Sequence, residues 1–460
     1  MAGRAVEDVL ADYACGLRLD ELPPDVVAKA KLCLVDFMAS ALTVNDAPEA
    51  LAALHVMEGG APRATVFGAG RALPAADAAF VTSTACSSTS RNDTYIATAS
   101  HPGAVIYAAV LALAEEVDAS GEEVLAAAVA GYEIMERIGR AVIAPQTAAV
   151  FRPTSWTGAA AAGAACARLL GLDPTRTANA IALAANGAAG LNQWTIAGTN
   201  ESFYHSGGAA RAGIIAARLA QAGVSAARGS LDGPAGLLAA MGRRDHAGAL
   251  LDGLATRHRI LEATFKPVPA CIFAQGPSQV AAALAARRIQ PADKIHGVEV
   301  RVTEAAARYP GCDFAGPFER KVSAQLSIQF CVASILSVGE IRDMTWDDHR
   351  NPEFAALARR IRLVVDAELD AAYPARNGTR IAVVYEDGRR VEAGQATFDG
   401  MTREAIETRF LAAAETTGLP EAGAGFLAAI RTLEETAGIR PMLASLRGAA
   451  ATGEKADHGP

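Results

Sequence analysis

The sequence has few aromatic residues, few lysines and no closely spaced cysteines. Aromatic side chains make up 5% of the 460 residues, and six lysines stand against 36 arginines. The seven cysteines are scattered and none forms a CxxC pair, so neither a disulfide framework nor a zinc site is expected. We expect buried, reduced thiols at these positions.

Further absences disfavour several classes of protein. The first residues lack the charged and then apolar layout of a signal peptide, and no uncharged apolar run is long enough to span a bilayer. The net charge of −8 disfavours a surface for nucleic acid or for an anionic membrane. Metalloprotease, nucleophile-elbow, Walker and EF-hand motifs are absent, and no glycine pattern indicates a dinucleotide site. We expect a cytoplasmic protein that binds neither nucleic acid nor membrane, and a nucleotide cofactor is unsupported.

Alanine-rich segments with helical periodicity fill the first 262 residues. Apolar side chains recur at helical spacing through residues 22–42, and Pro24 stands near the start of this segment, where its missing N–H costs little. Ser120 and Glu123 form a capping-box pattern before another such segment. Since we find no convincing strand before residue 262, the pattern predicts a large helical body.

The pattern changes after residue 262. Residues 296–306 alternate between apolar and polar side chains, as a half-buried strand does. Two strand-like runs within residues 379–398 lie on either side of Glu386-Asp387-Gly388, which is a strong hairpin signal. Residues 401–418 have a helical pattern again. The C-terminus is therefore expected to rejoin the helical body.

These patterns predict a mainly α protein with a second, α+β domain. The predicted parts are an all-helical domain of residues 1–262 and 399–450, a smaller α+β domain of residues 263–398 inserted before the C-terminal helices, and a flexible tail of residues 451–460.

Two residues stand out as candidates for chemistry. His101 directly precedes Pro102-Gly103 and a predicted helix, whose positive end favours the neutral imidazole that a base requires. Alternatively, this histidine only caps the helix or is solvated. Lys266 lies between prolines at the predicted domain boundary, where ligand clefts concentrate. It could bind a carboxylate, act as a base if burial lowers its pKa, or be a surface lysine in a rigid linker.

Two further helix starts carry polar side chains. Arg152 precedes Thr154 and Ser155, an arrangement that can bind a carboxylate, although either hydroxyl could simply cap the helix. His205 precedes a helix that we expect to open at the following glycines, with Arg211 one to two turns further along.

The order of seven segments resembles the MmgE/PrpD family over most of the chain. The segments are "LVDFMASAL", "ADAAFVTSTACSSTSRNDT", "HPGAVIYAAVLALAEE", "FRPTSWTGAAAAGA", "HSGGAARAGIIAARLA", "FKPVPAC" and "KVSAQLSIQFCVASIL". The resemblance implies a large all-helical domain with a smaller α+β domain, usually in a homodimer. It also implies proton removal next to a carboxylate of a small di- or tricarboxylic acid, with no metal or organic cofactor.

The resemblance also assigns expected roles to residues. The expected catalytic residues are His101, Lys266, Asp93 and Thr94. The expected substrate-binding residues are Arg91, Arg152, Ser202, Tyr204 and His205. The chain departs from the family pattern at Ser90, Arg152, Ser202 and Phe330, which stand where an aspartate, a histidine, a lysine and a tyrosine are expected.

These departures suggest that the scaffold is retained while the substrate or the reaction has shifted, with Tyr95 or Tyr204 replacing the lost acid. The leading interpretation is a dehydratase-like lyase in which His101 is the acid or base and Lys266 binds a carboxylate or acts as a base. An epimerase, an isomerase or a decarboxylase on the same scaffold is the alternative. A non-catalytic ligand-binding relative is the alternative from another class.

Overall fold

The computed structural model describes residues 4–44, 47–57, 59–287 and 290–449, and the protein is mainly helical. The predicted flexible tail, residues 451–460, lies outside the described residues. The helices before residue 263 are α1 (Val6–Gly16), α2 (Pro24–Ala41), α3 (Pro48–Val56), α4 (Ala75–Ser88), α5 (Pro102–Val117), α6 (Gly121–Val142), α7 (Pro145–Val150), α8 (Pro153–Leu169), α9 (Pro174–Ala185), α10 (Gln193–Ala197), α11 (Ser202–Gln221) and α12 (Leu237–Ala240). Within the described ranges, no helix is long and apolar enough to cross a membrane.

The start signals read from the sequence are confirmed at two of these helices. Pro24 is the first residue of α2. Ser120 caps α6 by accepting a hydrogen bond from the backbone N–H of Glu123, while the Glu123 carboxylate accepts one from the backbone N–H of Ser120. These reciprocal bonds satisfy two N–H groups that a helix end leaves without partners.

The expectation that no strand precedes residue 262 is wrong. Strands β1 (Ala64–Val66) and β2 (Arg71–Leu73) form a short antiparallel hairpin. The Glu115 carboxylate on α5 accepts hydrogen bonds from the backbone N–H and the hydroxyl of Thr65, each at 2.7 Å. Three-residue strands are too short for alternation to be recognised in the sequence, and this hairpin is anchored by a side chain far along the chain.

The second half of the chain combines a sheet with short helices. Its elements are α13 (Gln275–Ala286), β3 (Ile295–Val302), α14 (Glu304–Arg308), α15 (Lys321–Leu326), α16 (Ile328–Val338), α17 (Pro352–Ala358), β4 (Ile361–Val365), α18 (Ala367–Ala372), β5 (Thr379–Tyr385), β6 (Arg390–Gln395), α19 (Arg403–Thr416), α20 (Pro420–Ile430) and α21 (Arg440–Ser445). The strand order is β4-β3-β5-β6, with β3 and β4 parallel and the other neighbours antiparallel. The predicted strand within residues 296–306 and the predicted hairpin are confirmed as β3 and β5–β6.

The buried apolar side chains form two clusters. One cluster runs from α1 to Phe265 and includes α19, α20 and α21, which return to the helical body. The other contains β3, β5, α13 and α16, together with a few side chains from the helical half, such as Trp194 and Phe203. The fold is therefore mainly α with a smaller α+β region, as expected. The domain boundaries at residues 263 and 399 stay a prediction.

Small residues let α8 pack closely against α9 and α11. A Cβ atom on Gly163 would lie 2.9 Å from the carbonyl oxygen of Ala180 on α9, and one on Gly213 would overlap Ala162. No side chain fits at either glycine, because the backbones already touch. The abundance of alanine is consistent with this close packing.

A backbone bridge joins the two loops that carry His101 and Lys266. The N–H of Thr94 donates to the carbonyl of Thr264 at 2.8 Å, and the N–H of Thr264 donates back to the carbonyl of Thr94 at 2.9 Å. The loop before α5 and the loop after residue 263 are therefore held side by side, at the meeting of the two apolar clusters.

Candidate active site

A narrow cavity of about 50 Å³ lies among the starts of α5, α8 and α11, the loop of residues 264–274 and helix α15. The polar side chains that line it are Ser87, Ser90, Asn92, His101, Arg152, Ser202, Lys266, Cys271, Tyr309 and Gln325. Among the described residues, no aspartate or glutamate lines this cavity. Two basic side chains, Arg152 and Lys266, thus face a space without a protein carboxylate, which suits an anionic ligand.

His101 is held so that one ring nitrogen is bonded and the other is not. Its Nδ1 lies 3.0 Å from the carbonyl oxygen of Asp93 and 2.9 Å from the hydroxyl of Thr94. Because a carbonyl oxygen only accepts, Nδ1 carries the proton and donates it. The lone pair is therefore on Nε2, which has no hydrogen-bond partner in the described part of the chain. The alternative that this histidine is solvated is wrong, since its side chain is buried.

The surroundings of His101 favour the neutral ring. Burial lowers its pKa well below the ordinary value, and the positive charges of Lys266 and Arg152 lower it further. The hydrogen bond to the Asp93 carbonyl opposes these effects without overcoming them. An uncharged imidazole with a free Nε2 has the properties of a general base.

Lys266 is buried, so the alternative of a surface lysine in a linker is wrong. Its side chain is 2% exposed, and its ammonium donates to the carbonyl of Ala270 at 3.3 Å. Burial lowers the pKa of Lys266 to about 8; the negative charge of Cys271 opposes this shift and the charge of Arg152 adds to it. Lys266 is therefore a cation at neutral pH that loses its charge in mildly basic solution.

Arg152 is the second cation of the cavity. Its guanidinium lies over the ring of Trp194, 5.1 Å from the ring centre, a geometry typical of cation–π contacts. Its backbone N–H donates to the carbonyl of Gly190 at 3.0 Å, which fixes the start of α8. The hydroxyl of Ser202 is also buried in the lining and lacks a partner among the described atoms. A ligand that accepts hydrogen bonds would satisfy it.

Asp93 and Thr94 support His101 from behind the cavity. The Asp93 carboxylate accepts a hydrogen bond from the N–H of Gly103 at 2.8 Å and one from the hydroxyl of Tyr132 at 2.6 Å. Burial raises the pKa of Asp93 to about 7, and the neighbouring Asp36 raises it further. Asp93 and Thr94 are not among the described residues that line the cavity. Their geometry is that of positioning residues, and a catalytic role stays a prediction.

Three expected substrate-binding residues do not reach the cavity. Arg91 donates to the carbonyl of Pro267 at 3.1 Å and pairs with Asp343. Tyr204 stacks on Phe80. Their side chains, like that of His205, are absent from the described lining of the cavity.

His205 also differs from its expected place in the chain. It lies inside the first turn of α11, which begins at Ser202 rather than at the later glycines. Its Nδ1 is buried without a partner among the described atoms, close to Gly190 and Ser155. Arg211, further along α11, pairs with Asp77 at 3.1 Å instead of facing a ligand.

Phe330, which stands where the family pattern has a tyrosine, is a packing residue. Phe330 is fully buried against the ring of Phe318, with ring centres 4.9 Å apart. Tyr95, a candidate for the replacement acid, is buried and its hydroxyl donates to the carbonyl of Tyr132. The tyrosine that lines the cavity is Tyr309, which the sequence alone does not single out.

Other lining residues were also missed at the level of sequence. Tyr309 and Gln325 come from segments without a recognisable motif, so no sequence signal points to them. Cys271 is the last residue of "FKPVPAC", and the sequence predicts a buried thiol there. Cys271 lines the cavity and is only half-buried. Cys15 is also half-buried, so these two cysteines depart from the expectation of buried thiols.

The chain matches both halves of one family description. Residues 8–248 match the MmgE/PrpD N-terminal domain, and residues 268–434 match the MmgE/PrpD C-terminal domain. The cis-aconitate decarboxylase of Aspergillus terreus is 26% identical over 424 residues, which cover 85% of this chain and 84% of that protein. The cis-aconitate decarboxylase of Homo sapiens is 25% identical over 443 residues, which cover 89% and 88%.

Proposed function

Because the chain belongs to the MmgE/PrpD family, we propose that it is a lyase that removes a proton next to a carboxylate of a small di- or tricarboxylic acid. The observation that carries this proposal is the pairing of a neutral, oriented His101 with two cations in a cavity whose described lining has no acid. The proposed reaction needs no cofactor beyond these side chains.

The cations account for both binding and rate. A proton next to a carboxylate is very weakly acidic, because its removal places a second negative charge on the same group. Lys266 and Arg152 in a buried site stabilise that developing charge far more strongly than they would in water. Ser202 supplies a hydroxyl that can donate to a ligand oxygen. We therefore assign substrate carboxylates to the Arg152 and Lys266 side of the cavity.

His101 is the proposed base. Its Nε2 takes the proton from carbon, and the ring becomes an imidazolium whose Nδ1–H stays bonded to the Asp93 carbonyl. The nearby cations that lower the pKa of His101 also make this imidazolium short-lived, which favours return of the proton to a leaving group or to carbon. In a dehydratase the hydroxyl leaves as water, and Tyr309, which lines the cavity, is the proposed donor in place of Tyr95 or Tyr204.

Decarboxylation is the second candidate, because the two full-length relatives named above are cis-aconitate decarboxylases. In that reaction the carbon dioxide leaves first and carbon must then receive a proton. A neutral His101 has a lone pair and no proton on Nε2, so it suits proton abstraction better than this protonation of carbon. An epimerase begins with the same abstraction but expels no group; a proton is instead returned to the opposite face of the same carbon.

Solvent exchange on a panel of small hydroxy- and unsaturated di- and tricarboxylic acids tests the proposal. Nuclear magnetic resonance in D₂O reports deuterium incorporation, loss of water and loss of carbon dioxide in one experiment. We expect exchange or elimination for at least one acid and a loss of about 100-fold or more in Lys266→Met. Lys294→Met is the matched control, because Lys294 is an exposed lysine before β3. Binding without exchange or product across the panel would indicate a non-catalytic relative.

A further inference from the structure

Two cysteine sulfurs meet at the wall of the cavity. The Sγ atoms of Cys271 and Cys312 lie 3.7 Å apart, and both residues are reduced. Cys271 lines the cavity and is half-buried, whereas Cys312 is fully buried behind it. One sulfur is therefore accessible to a small molecule and the other is accessible only through the first.

The two thiols have opposite acid strength. The Cys312 thiol donates to the sulfur of Cys271, and this bond is the main reason that the pKa of Cys271 falls to about 7 despite its burial. The charges of Lys266 and Arg152 lower it further. Burial and the same hydrogen bond hold the pKa of Cys312 well above its usual value. At neutral pH, Cys271 is substantially a thiolate beside a protonated Cys312.

We propose that Cys271 and Cys312 form a redox site at the wall of the cavity, in which a peroxide converts the two thiols into a disulfide. A thiolate that lines a cavity, with a protonated thiol behind it, is the arrangement of an attacking and a resolving cysteine. This inference goes beyond the proposed lyase function, since the disulfide can form whatever the reaction at His101 is.

The chemistry balances with hydrogen peroxide as the oxidant. The Cys271 thiolate attacks one peroxide oxygen, the O–O bond breaks, and the hydroxide that leaves takes up a proton to become water. The resulting sulfenic acid is attacked by Cys312, which loses its proton; the S–O bond breaks and the second water leaves. Two thiols and one peroxide thus give one disulfide and two waters.

Both cysteines lie outside helix interiors and are held next to each other by one segment of the chain. Cys271 precedes the short 3-10 helix Ile272–Ala274, and Cys312 lies between α14 and α15, so neither is in the interior of a helix. The backbone N–H of Cys271 donates to the carbonyl of Gln325, and the carbonyl of Cys312 accepts from Ile328. Both cysteines are therefore tied to the same α15–α16 segment, and the sulfurs need to close from 3.7 Å to about 2.05 Å.

Oxidation also alters the cation next to the pair. The negative charge of Cys271 is the largest charge effect that raises the pKa of Lys266. A disulfide removes that charge, so Lys266 loses its proton at a lower pH in the oxidised protein.

Mass spectrometry of the whole chain after mild oxidation tests the proposal. The reduced protein is treated with a small excess of hydrogen peroxide, its remaining thiols are alkylated and its peptides are analysed. We expect a linked peptide pair that contains Cys271 and Cys312 and is lost on treatment with dithiothreitol. In Cys312→Ser we expect a sulfenic acid at Cys271 that dimedone traps. Cys15→Ser, which removes the other half-buried cysteine, should leave the linkage unchanged.

Two results would overturn the redox site. One is a lack of the Cys271–Cys312 linkage while other cysteines oxidise. The other is alkylation of Cys271 that is no faster at pH 7 than alkylation of Cys15, a measurement on the unaltered chain that does not depend on whether a variant folds. Both measurements detect modified cysteines by mass spectrometry, so their outcome does not depend on whether the protein has lyase activity.

Discussion

The starts of α5 and α11 each carry a histidine and differ in how that histidine is supported. At α5, His101 is the residue before the helix, and a carbonyl and a hydroxyl hold its Nδ1. At α11, His205 lies within the first turn, with its Nδ1 buried and unpartnered among the described atoms. Burial lowers the pKa of both, that of His205 to about 4. A low pKa alone therefore does not distinguish a base from a packed histidine; orientation by neighbours does.

Replacing each histidine in turn should give the largest difference. We expect His101→Gln to lower the exchange or turnover rate by about 100- to 10,000-fold, because the base is lost. His205→Gln should change the rate by less than about tenfold, since its ring does not line the cavity. Rates measured side by side on the same acid check this. Equal losses in the two variants would remove the distinction between the two helix starts.

The next largest effect concerns Lys266 and the pH dependence of the rate. The neutral base is present across the physiological range because the pKa of His101 is low, whereas Lys266 loses its charge as the pH rises through about 8. We expect kcat/KM to fall above pH 8, approaching tenfold per pH unit. Lys266→Arg keeps its charge and should extend the plateau, even if the overall rate is lower. A profile that is flat to pH 10 in the unaltered chain would contradict this role.

Loosening the support of His101 should have a smaller effect. Thr94→Val keeps the shape of the side chain but removes the hydroxyl 2.9 Å from Nδ1, and leaves the Asp93 carbonyl as the remaining acceptor. The loss of one hydrogen bond of this kind corresponds to about a three- to tenfold fall in rate. The fall should appear in kcat rather than in KM, because Thr94 is not among the described residues that line the cavity. Thr154→Val is the variant to compare, because it removes the hydroxyl that accepts a hydrogen bond from the backbone N–H of His101 and leaves the bonds of the ring in place.

The smallest expected effect concerns stability. Burial raises the pKa of Asp93 to about 7, above its value of about 3.9 in an unfolded chain. The folded state therefore favours the protonated form, and the contribution of Asp93 to stability falls as the pH rises from about 4 to 7. Asp93→Asn cannot titrate, so the difference in Tm between pH 5 and pH 8 should shrink by about 2 °C. An unchanged difference in thermal scans would contradict this assignment.

The helical half of the fold was predictable because its signals are local. Proline at a helix start, the capping box at Ser120 and Glu123, and apolar spacing each act within one or two turns. The β1–β2 hairpin was missed because its stability depends on Glu115, about fifty positions away in the chain. The hairpin β5–β6 was found because its turn chemistry lies between its strands.

The candidate site was predictable in part for a related reason. His101 and Lys266 stand in distinctive segments, whereas Tyr309 and Gln325 enter the cavity only through the packing of the sheet region against the helices. Arg91, Tyr204 and His205 stand in segments as suggestive as that of His101, yet their side chains have other partners or other neighbours. Proximity in sequence places a residue near the cavity, and the direction of its side chain depends on tertiary packing. The domain boundaries, the homodimer and the catalytic roles stay predictions.

The two backbone hydrogen bonds between Thr94 and Thr264 hold together only one side of the cavity, the side that carries His101 and Lys266. The loops of His101 and Lys266 cannot separate at this point without breaking both bonds, which helps to keep the two side chains at a fixed spacing. Arg152, Ser202 and Gln325 lie outside this constraint, and they include positions at which the chain departs from its family. If the proposed function holds, single substitutions at Arg152, Ser202 or Gln325 would change which acid is accepted and leave the placement of His101 and Lys266 as it is.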